Sequence, residues 1–230
     1  MGGCMGKGSL TFSDGTVLDL DYHFPDIKTV ALSMSGGVES AALVLLLQKF
    51  YGYDNVFVFS GHIEGRRAWE AENAAKLSKH IGVKYFQVIK DNFQFMTPPE
   101  NKRMRILANQ YTQFDGWFNG ANKLLFAPTS ILKQEVKDYV RNEKVYMPFM
   151  GLLKQHTIEI FYMLGREDVL AKTFSCTVKG DTHCGNCYCC LERARGFAVL
   201  GEKDQATYDI EWEDILKQCF FSDHRFNKNW

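Results

Sequence analysis

Apolar and polar positions alternate over residues 9–24, and the alternation is interrupted at Ser13-Asp14-Gly15. A period of two residues broken by such a turn is typical of a β-hairpin. The apolar run at residues 29–34 then predicts a buried strand. Residues 41–50, which are apolar almost throughout, predict a buried helix that ends near Gly52.

The same order of elements continues along the chain. Strands are predicted at residues 55–60 and 83–89, on either side of a helix at residues 67–80 that Gly82 ends. This β-α-β-α-β order predicts an α/β fold, a parallel twisted sheet flanked by helices with right-handed crossovers. Beyond it, the pattern predicts a loop at 90–104, a helix at 104–118, a strand at 123–127, helices at 131–142, 156–164 and 191–200, and a polar, aromatic tail.

Composition and charge narrow the functions that the chain can have. Its 230 residues carry 27 Lys plus Arg and 27 Asp plus Glu, a formal net charge of zero. Stable binding to nucleic acid through bulk charge is therefore not expected. No apolar run is long enough to span a bilayer, and no secretory signal precedes the hairpin, so we expect a cytoplasmic protein without membrane contact. In a reducing compartment, clustered cysteines bind metal more often than they form disulfides.

Four cysteines towards the C-terminal end have the spacing of a closed metal site. Cys184-Gly185-Asn186-Cys187 is a Cys-x-x-Cys turn, Cys190 adds a second x-x step, and Cys176 lies eight residues before the turn. Four thiolates leave Zn²⁺ no open coordination position, which predicts a structural zinc ion. The alternatives are that Cys189 or His183 serves as a ligand, or that the thiols are simply buried or paired in a disulfide.

A glycine-rich loop stands between the first predicted parallel strand and its helix. The residues Ser35 to Ser40, here called the phosphate loop, place backbone N–H groups and a helix N-terminus where an anion binds. The loop matches neither the Gly-Lys-Ser/Thr pattern of a Walker A loop nor the G-x-G-x-x-G dinucleotide fingerprint. It predicts a nucleotide-phosphate site formed by Met34, Ser35, Gly36, Gly37, Val38, Glu39 and Ser40.

This loop is similar to the PP-loop signature Ser-Gly-Gly-x-Asp-Ser of ATP pyrophosphatases, with Glu39 at the Asp position. Ser175-Cys176, Lys179-Gly180-Asp181 and the segment from residue 184 to 197 resemble the C-terminal zinc region of the QueC family, the 7-cyano-7-deazaguanine (preQ0) synthases. Weaker resemblances are Pro148-Phe149-Met150 followed by Lys154, and Arg66 with Glu70 in the second helix.

The resemblance implies a PP-loop, adenine nucleotide alpha hydrolase-like and Rossmann-like fold with a small C-terminal zinc-binding helical lobe. Residues 1–25 would be a hairpin extension, 26–150 the nucleotide-binding domain, and 151–230 the helical and zinc-binding lobe. The chain departs from the family at Glu39, at Glu64-Gly65-Arg66-Arg67 and at Asn119-Gly120-Ala121-Asn122, and its residues 90–145 are fewer than in the family.

The family resemblance also implies a reaction. ATP with Mg²⁺ would adenylate the carboxylate of 7-carboxy-7-deazaguanine, and ammonia would give the amide and then the nitrile. Glu39 would handle Mg²⁺ or pyrophosphate, and Lys154, with Arg66 or Arg193, would screen the two anions. A homodimer is implied too. The alternatives are that Lys154 is a solvated lysine, that Arg193 pairs with the helix C-terminus or with a carboxylate, and that the enzyme amidates another carboxylate, joins a deazaguanine-like group to a protein or modifies tRNA. A non-enzyme alternative is a zinc-knuckle module that grips RNA through Arg193 and Arg195.

Overall fold

A computed structural model of the protein describes residues 8–62, 68–90, 110–123, 125 and 144–221. Its strands, in chain order, are β1 Ser9–Thr11, β2 Val17–Asp19, β3 Val30–Ser33, β4 Val56–His62, β5 Tyr85–Lys90, β6 Gly116–Asn119 and β7 Val145–Tyr146. Its helices are α1 Leu20–His23, α2 Val38–Tyr51, α3 Ala68–Ile81, α4 Lys154–Leu164, α5 Glu167–Leu170, α6 Tyr188–Val199 and α7 Trp212–Phe221, with one 3₁₀ turn at Tyr53–Asn55.

The N-terminal hairpin is confirmed, with shorter strands than the alternation predicts. β1 and β2 pair antiparallel with Leu10 opposite Leu18. At the turn, the Gly15 N–H donates to the Phe12 carbonyl at 2.9 Å, and Gly15 adopts φ +84°, which a residue without Cβ accepts easily. The second strand ends at Asp19 because its carboxylate accepts the Tyr22 N–H at 3.0 Å and caps α1.

The predicted parallel sheet with flanking helices is confirmed. Five parallel strands lie in the order β5-β4-β3-β6-β7, so β3 is central and the chain first builds outward on one side and then on the other. The strand order reverses between β3 and β6. In open α/β sheets, ligands bind outside the carboxyl ends of the strands at such a reversal. The phosphate loop follows β3 directly, so it lies at this point.

Both faces of the sheet are covered. One large core joins the hairpin, β3, α2 and α4, and α2 is buried nearly all around, which explains its uniformly apolar sequence. The other face carries an aromatic cluster of Phe59, Phe114 and Trp117 against Ala31.

The predicted helices at 41–50, 67–80, 156–164 and 191–200 correspond to α2, α3, α4 and α6 with ends shifted by a few residues. No helix among the described residues is long and apolar enough to cross a membrane.

Three predictions between β5 and the C-terminus are wrong where the structure describes them. The helix predicted at 104–118 runs into strand β6, whose four residues are all buried, and a short buried strand has no alternation that separates it from a helix. Lys123 and Leu125 lie outside any strand. The tail contains helix α7, whose Ile215 and Cys219 pack on Leu191 of α6. The rest of the predicted helix at 104–118, the remaining residues of the predicted strand at 123–127, the helix predicted at 131–142 and most of the predicted loop at 90–104 lie outside the described residues.

Candidate active site

The phosphate loop is a compact turn that leads into the N-terminus of α2. Gly36 adopts φ +83°, and Gly37 is the N-cap of α2, with no side chain to cap the helix. Ser35 Oγ accepts the Gly37 N–H at 3.3 Å, and Ser40 Oγ donates to the Gly37 carbonyl at 3.2 Å. The first turn of α2 therefore presents the positive end of its dipole beside two hydroxyl groups.

Close backbone contacts on two sides hold the loop in place. A Cβ on Gly36 would lie 3.1 Å from the Ala74 nitrogen in α3, and a Cβ on Gly120 would lie 2.9 Å from the Glu39 carbonyl carbon. Gly120 directly follows β6, so the loop is wedged between α3 and the neighbouring strand end. The loop is also anchored in the core by two buried apolar residues, Met34 and Val38.

Two of the predicted catalytic residues meet in an ion pair. Lys154 is the first residue of α4, and its Nζ donates to the Glu39 carboxylate in the phosphate loop. The side chains of Lys154 and Glu39 are only 6% and 17% exposed, so Lys154 is not a solvated lysine at the start of a helix. Burial lowers the pKa of Lys154. Arg66, the third predicted catalytic residue, lies outside the described residues.

Three side-chain polar atoms around the loop are buried without a hydrogen-bond partner in the described part of the chain: Trp69 Nε1, Asn73 Nδ2 and Ser175 Oγ. Asn73 backs onto the loop, since a Cβ on Gly36 would lie 3.4 Å from the Asn73 Cβ. Trp69 is one turn earlier on the same face of α3. Ser175 follows Phe174, whose N–H donates to the Gly36 carbonyl at 2.9 Å. An unpaired buried polar group costs about 1–3 kcal/mol, so acceptor-rich phosphate groups fit this surrounding.

The four predicted metal ligands come together at one point. Their sulfur atoms all lie within 4.8 Å of one another, and the four side chains are buried: Cys176, Cys184, Cys187 and Cys190. Four thiolates at about 2.3 Å from a zinc ion would be roughly 3.8 Å apart, so the cluster fits one tetrahedral ion. Backbone N–H groups also point at the sulfurs, since the Lys179 N–H donates to Cys176 Sγ at 3.4 Å and the Cys187 N–H to Cys184 Sγ at 3.3 Å.

The alternative ligands stay outside this cluster. Cys189 is half-buried and does not belong to it. His183 Nε2 accepts the Ser175 N–H at 3.1 Å, so its lone pair is occupied. Burial lowers the pKa of His183 to about 4, which leaves the ring neutral. No disulfide joins the cysteines in the described ranges. Gly185, at φ +75°, makes the turn of the Cys-x-x-Cys segment.

A four-residue segment, Thr173 to Cys176, connects the phosphate loop to the cysteine cluster. Arg193 is fully buried and donates to the Asp204 carboxylate at 2.5 and 3.0 Å and to Thr173 Oγ1 at 2.6 Å. This arginine therefore pairs with a carboxylate and does not face the loop. One end of the segment is thus held by Arg193, its middle contacts the loop through Phe174, and its last residue enters the cluster.

The sequence alone does not single out Trp69 or Asn73. The two residues are four positions apart, so they lie on one face of a helix whose other face carries small buried residues. That spacing could have indicated a polar face directed at a ligand, but polar helix faces are usually only solvated. The pairing of Lys154 with Glu39 had no sequence signal, because 115 positions separate them.

Comparison with known proteins identifies the cysteine-bearing part of the chain. Residues 127–201 match the family model described as "Queuosine biosynthesis protein QueC". The predicted resemblance to the QueC family is confirmed. The match contains Lys154 and all four clustered cysteines, and it does not include the phosphate loop.

Relatives with this resemblance are enzymes by name. The 7-cyano-7-deazaguanine synthase of Methanothrix thermoacetophila is 30% identical over 79 residues, which cover 34% of this chain and 34% of that protein. The synthase of the same name from Archaeoglobus fulgidus is 35% identical over 74 residues, 32% of this chain and 30% of that protein. The chain thus spans about a third of the length of the curated relatives it matches.

Among solved structures, the U34-tRNA thiolase NcsA from Methanococcus maripaludis, with its [4Fe-4S] cluster, superposes with a TM-score of 0.45 at 19% identity. The superposition covers 65% of this chain and 61% of the thiolase.

Proposed function

We propose that this protein is an ATP-dependent ligase that adenylates a carboxylate and replaces the activated oxygen with nitrogen. The observation that carries the proposal is the contact between the two halves of the site. The Phe174 N–H donates to the Gly36 carbonyl, so a QueC-like cysteine segment touches a loop that fits phosphate. Neither feature alone would define an adenylating enzyme.

The proposed substrate is 7-carboxy-7-deazaguanine, by the resemblance to the QueC family. A carboxylate oxygen would attack the α-phosphorus of ATP and release pyrophosphate. Ammonia would then attack the acyl carbon and release AMP, which keeps the carboxylate oxygen, and leave an amide. The amide oxygen would then attack the α-phosphorus of a second ATP and release pyrophosphate. Loss of the two N–H protons and departure of AMP with the amide oxygen would leave the nitrile, 7-cyano-7-deazaguanine. No side-chain nucleophile is needed, since the protein must only hold two anions together and screen their repulsion.

The described residues divide this work between them. The N–H groups of the phosphate loop and the hydroxyls of Ser35 and Ser40 would bind phosphate oxygens. Trp69, Asn73 and Ser175 would satisfy their unpaired polar atoms on the same ligand. The Mg²⁺ that accompanies ATP would be held by Glu39, and it would lower the charge on the phosphates.

Charge screening is assigned to the buried Lys154. It lies beside the loop carboxylate, where a positive charge is least shielded by water. On resemblance alone, Arg66 is given the same screening role. The cysteine cluster would hold a structural zinc ion that stabilises its part of the chain by on the order of 10 kcal/mol and contributes a wall to the site.

The alternative of an RNA-binding zinc knuckle is not supported by its two arginines. Arg193 is fully buried against Asp204. Arg195 donates to Gln155 Oε1 at 3.3 Å and lies over the Phe220 ring. Arg193 is therefore closed to a phosphate backbone, and Arg195 is partly engaged within the protein. Residues 90–145 form a shorter segment than the corresponding one in the QueC family. This difference favours, as a second candidate, a ligase that acts on a different carboxylate.

The test is product analysis with purified protein, ATP, Mg²⁺ and ammonia. We expect AMP and pyrophosphate in the presence of 7-carboxy-7-deazaguanine, and a nitrile by mass spectrometry. An amide that never proceeds to nitrile would keep the ligase and remove the nitrile step. AMP formed with another planar heterocyclic acid, and not with this one, would favour the second candidate. Protein that binds no ATP at all would overturn both.

A further inference from the structure

The turn of the N-terminal hairpin reaches the start of α4. Asp14 Oδ2 lies 2.9 Å from His156 Nε2, and the Leu153 N–H donates to His156 Nδ1 at 3.0 Å. Because Nδ1 accepts a hydrogen bond, the ring proton is on Nε2, and Nε2 donates to Asp14. The imidazole is therefore fixed at both nitrogens, once by α4 itself and once by the hairpin.

This arrangement is one half of a capping box at the start of α4. His156, the third residue of α4, accepts the N–H of the N-cap residue Leu153. Leu153 has no polar side chain, so it cannot supply the reciprocal bond to the first N–H groups of the helix. Its side chain is 4% exposed, and its ring packs 4.8 Å from the Phe12 ring of the hairpin. Lys154 is the next residue after Leu153, so the His156 contact holds the backbone directly before the lysine.

We propose that Asp14 is a positioning residue for the candidate active site. Through His156 and Leu153 it holds the first turn of α4 in the orientation that places Lys154 against Glu39 of the phosphate loop. The hairpin thereby contributes to the structure of the candidate active site. The catalytic role of Lys154 rests on the proposed function, whereas the position of its side chain can be measured without ATP.

A second contact of the same turn provides the control. The Ser13 N–H and Oγ donate to the two Glu159 carboxylate oxygens at 2.8 and 3.0 Å. Glu159 is further along α4, and this contact is exposed and does not involve His156. Ser13→Ala removes the Oγ contact and keeps the backbone contact. It therefore removes one hydrogen bond between the hairpin and α4 and leaves the His156 ring and the start of α4 alone.

The experiment measures how fast a small amine-acylating reagent modifies Lys154 Nζ, by peptide mass spectrometry well below the melting temperature of each variant. Lys154 is buried and paired, so reaction in the wild type requires local opening. We expect Asp14→Ala to raise the rate about tenfold and Ser13→Ala to leave it near the wild-type value. Asp14 Oδ1 also accepts the Thr16 N–H at 2.9 Å, so Asp14→Ala loses a bond of the turn as well. Asp14→Ser can keep that turn bond but cannot reach His156, and it should raise the rate as Asp14→Ala does. If Asp14→Ala loses its cooperative melt, Asp14→Ser replaces it.

The outcomes separate this inference from the proposed function. Equal rates in Asp14→Ala and the wild type would overturn the positioning role, and so would equal acceleration by Ser13→Ala. A wild type that binds no ATP would overturn the proposed function, and the labelling rates would still decide the role of Asp14. Where ATP does bind, Asp14→Ala should weaken its affinity while Ser13→Ala does not.

Discussion

The buried pair of Lys154 and Glu39 is the most consequential interaction at the scale of single residues. Each side chain is largely withdrawn from water, so each charge depends on the other for compensation. A lysine enclosed in this way keeps a lowered pKa, because burial disfavours its charged form. Glu39 stands where the PP-loop signature has Asp, so its side chain is one methylene longer. The carboxylate at the end of this longer side chain accepts the hydrogen bond from Lys154.

Removing both partners of this pair should cost less than the two single removals add up to. We expect Glu39→Gln and Lys154→Met each to destabilise the fold by about 3 kcal/mol, since each leaves a buried group uncompensated. The double variant should lose clearly less than the sum of the two. Urea unfolding of the four proteins measures this double-mutant cycle. Losses that simply add would show that the two side chains do not interact in solution.

A second buried pair gives a prediction with a pH dependence. Burial by itself would raise the pKa of Asp204, but the Arg193 guanidinium more than offsets this and holds the pKa below its usual 3.8. The stability from this carboxylate is therefore present above about pH 4 and is lost as the pH falls through the lower folded-state pKa. Asp204→Asn should cost about 3–5 kcal/mol at neutral pH and flatten the acid side of the stability profile.

The matched control for Asp204 is Asp209, which is exposed and pairs with Lys179 at the surface. Asp209→Asn should change the free energy of unfolding by less than about 1 kcal/mol. Unfolding in urea at several pH values compares the two variants. A profile of Asp204→Asn parallel to that of the wild type below pH 4 would contradict the account of this carboxylate.

The residues of the site differ in how far the sequence predicts them. The phosphate loop and the four cysteines are found from spacing alone, because each set is compact in the chain and its chemistry imposes the spacing. The pairs Lys154–Glu39 and Arg193–Asp204 are not found in this way. Lys154 and Glu39 belong to helices that meet only after folding, and Arg193 meets Asp204 through the loop that follows α6. Many other lysines and arginines of the chain have the same local sequence character.

At the scale of secondary-structure elements, the close approach of the loop after β6 to the start of α2 is decisive. A Cβ at Gly120 would lie 2.9 Å from the Glu39 carbonyl carbon and 3.0 Å from the Ser40 nitrogen, both of them backbone atoms. These contacts fix how closely the end of β6 approaches the phosphate loop at the N-terminus of α2. A backbone has no alternative rotamer, so this contact is relieved only by moving one element away from the other.

Gly120→Ala should therefore displace the N-terminus of α2 from the end of β6. We expect a loss of about 1–3 kcal/mol in stability and an ATP affinity weaker by about tenfold or more. Gly151→Ala is the control, since nothing lies within 4 Å of a Cβ at that position. Isothermal titration with ATP and thermal melting of both variants provide the comparison. Unchanged ATP affinity in Gly120→Ala would show that the nucleotide does not bind where these two elements meet.

Element prediction succeeds in the first half of the chain and weakens afterwards. β3, α2, β4, α3 and β5 have long apolar runs or clear helical periodicity, ended by Gly52 and Gly82. β6 is too short and too uniformly buried to show a period, and its place beside β3 is a matter of tertiary pairing. Helix α7 did have a signal, since Trp212, Ile215 and Cys219 lie on one helical face, but its polar and aromatic neighbours obscured it.

At the scale of the whole molecule, the segment Thr173 to Cys176 makes one unit of two distant sites. Its Phe174 contacts the phosphate loop, and its Cys176 belongs to the cysteine cluster. On the other side, the hairpin braces α4 through Asp14. The parallel sheet follows from the order of elements in the sequence, whereas these two connections do not, because each joins parts of the chain more than a hundred residues apart.

Loss of the metal should therefore weaken ATP binding at the phosphate loop. We expect the wild type to contain one zinc ion per chain, and Cys187→Ser to lose it, to melt at a clearly lower temperature and to bind ATP more weakly. Cys189→Ser, which changes a thiol outside the cluster, should keep both the metal and the affinity. Elemental analysis combined with titration measures both effects. Full zinc content in Cys187→Ser would refute the ligand assignment.

The most direct test of the central claim follows an oxygen atom. 7-Carboxy-7-deazaguanine labelled with oxygen-18 in its carboxylate is incubated with the protein, ATP, Mg²⁺ and ammonia, and the nucleotide products are analysed by mass spectrometry. Adenylation predicts that the label appears in the phosphate of AMP, because ammonia displaces AMP together with the carboxylate oxygen. Label found in inorganic phosphate with ADP as the nucleotide product, or AMP formed without label, would contradict it.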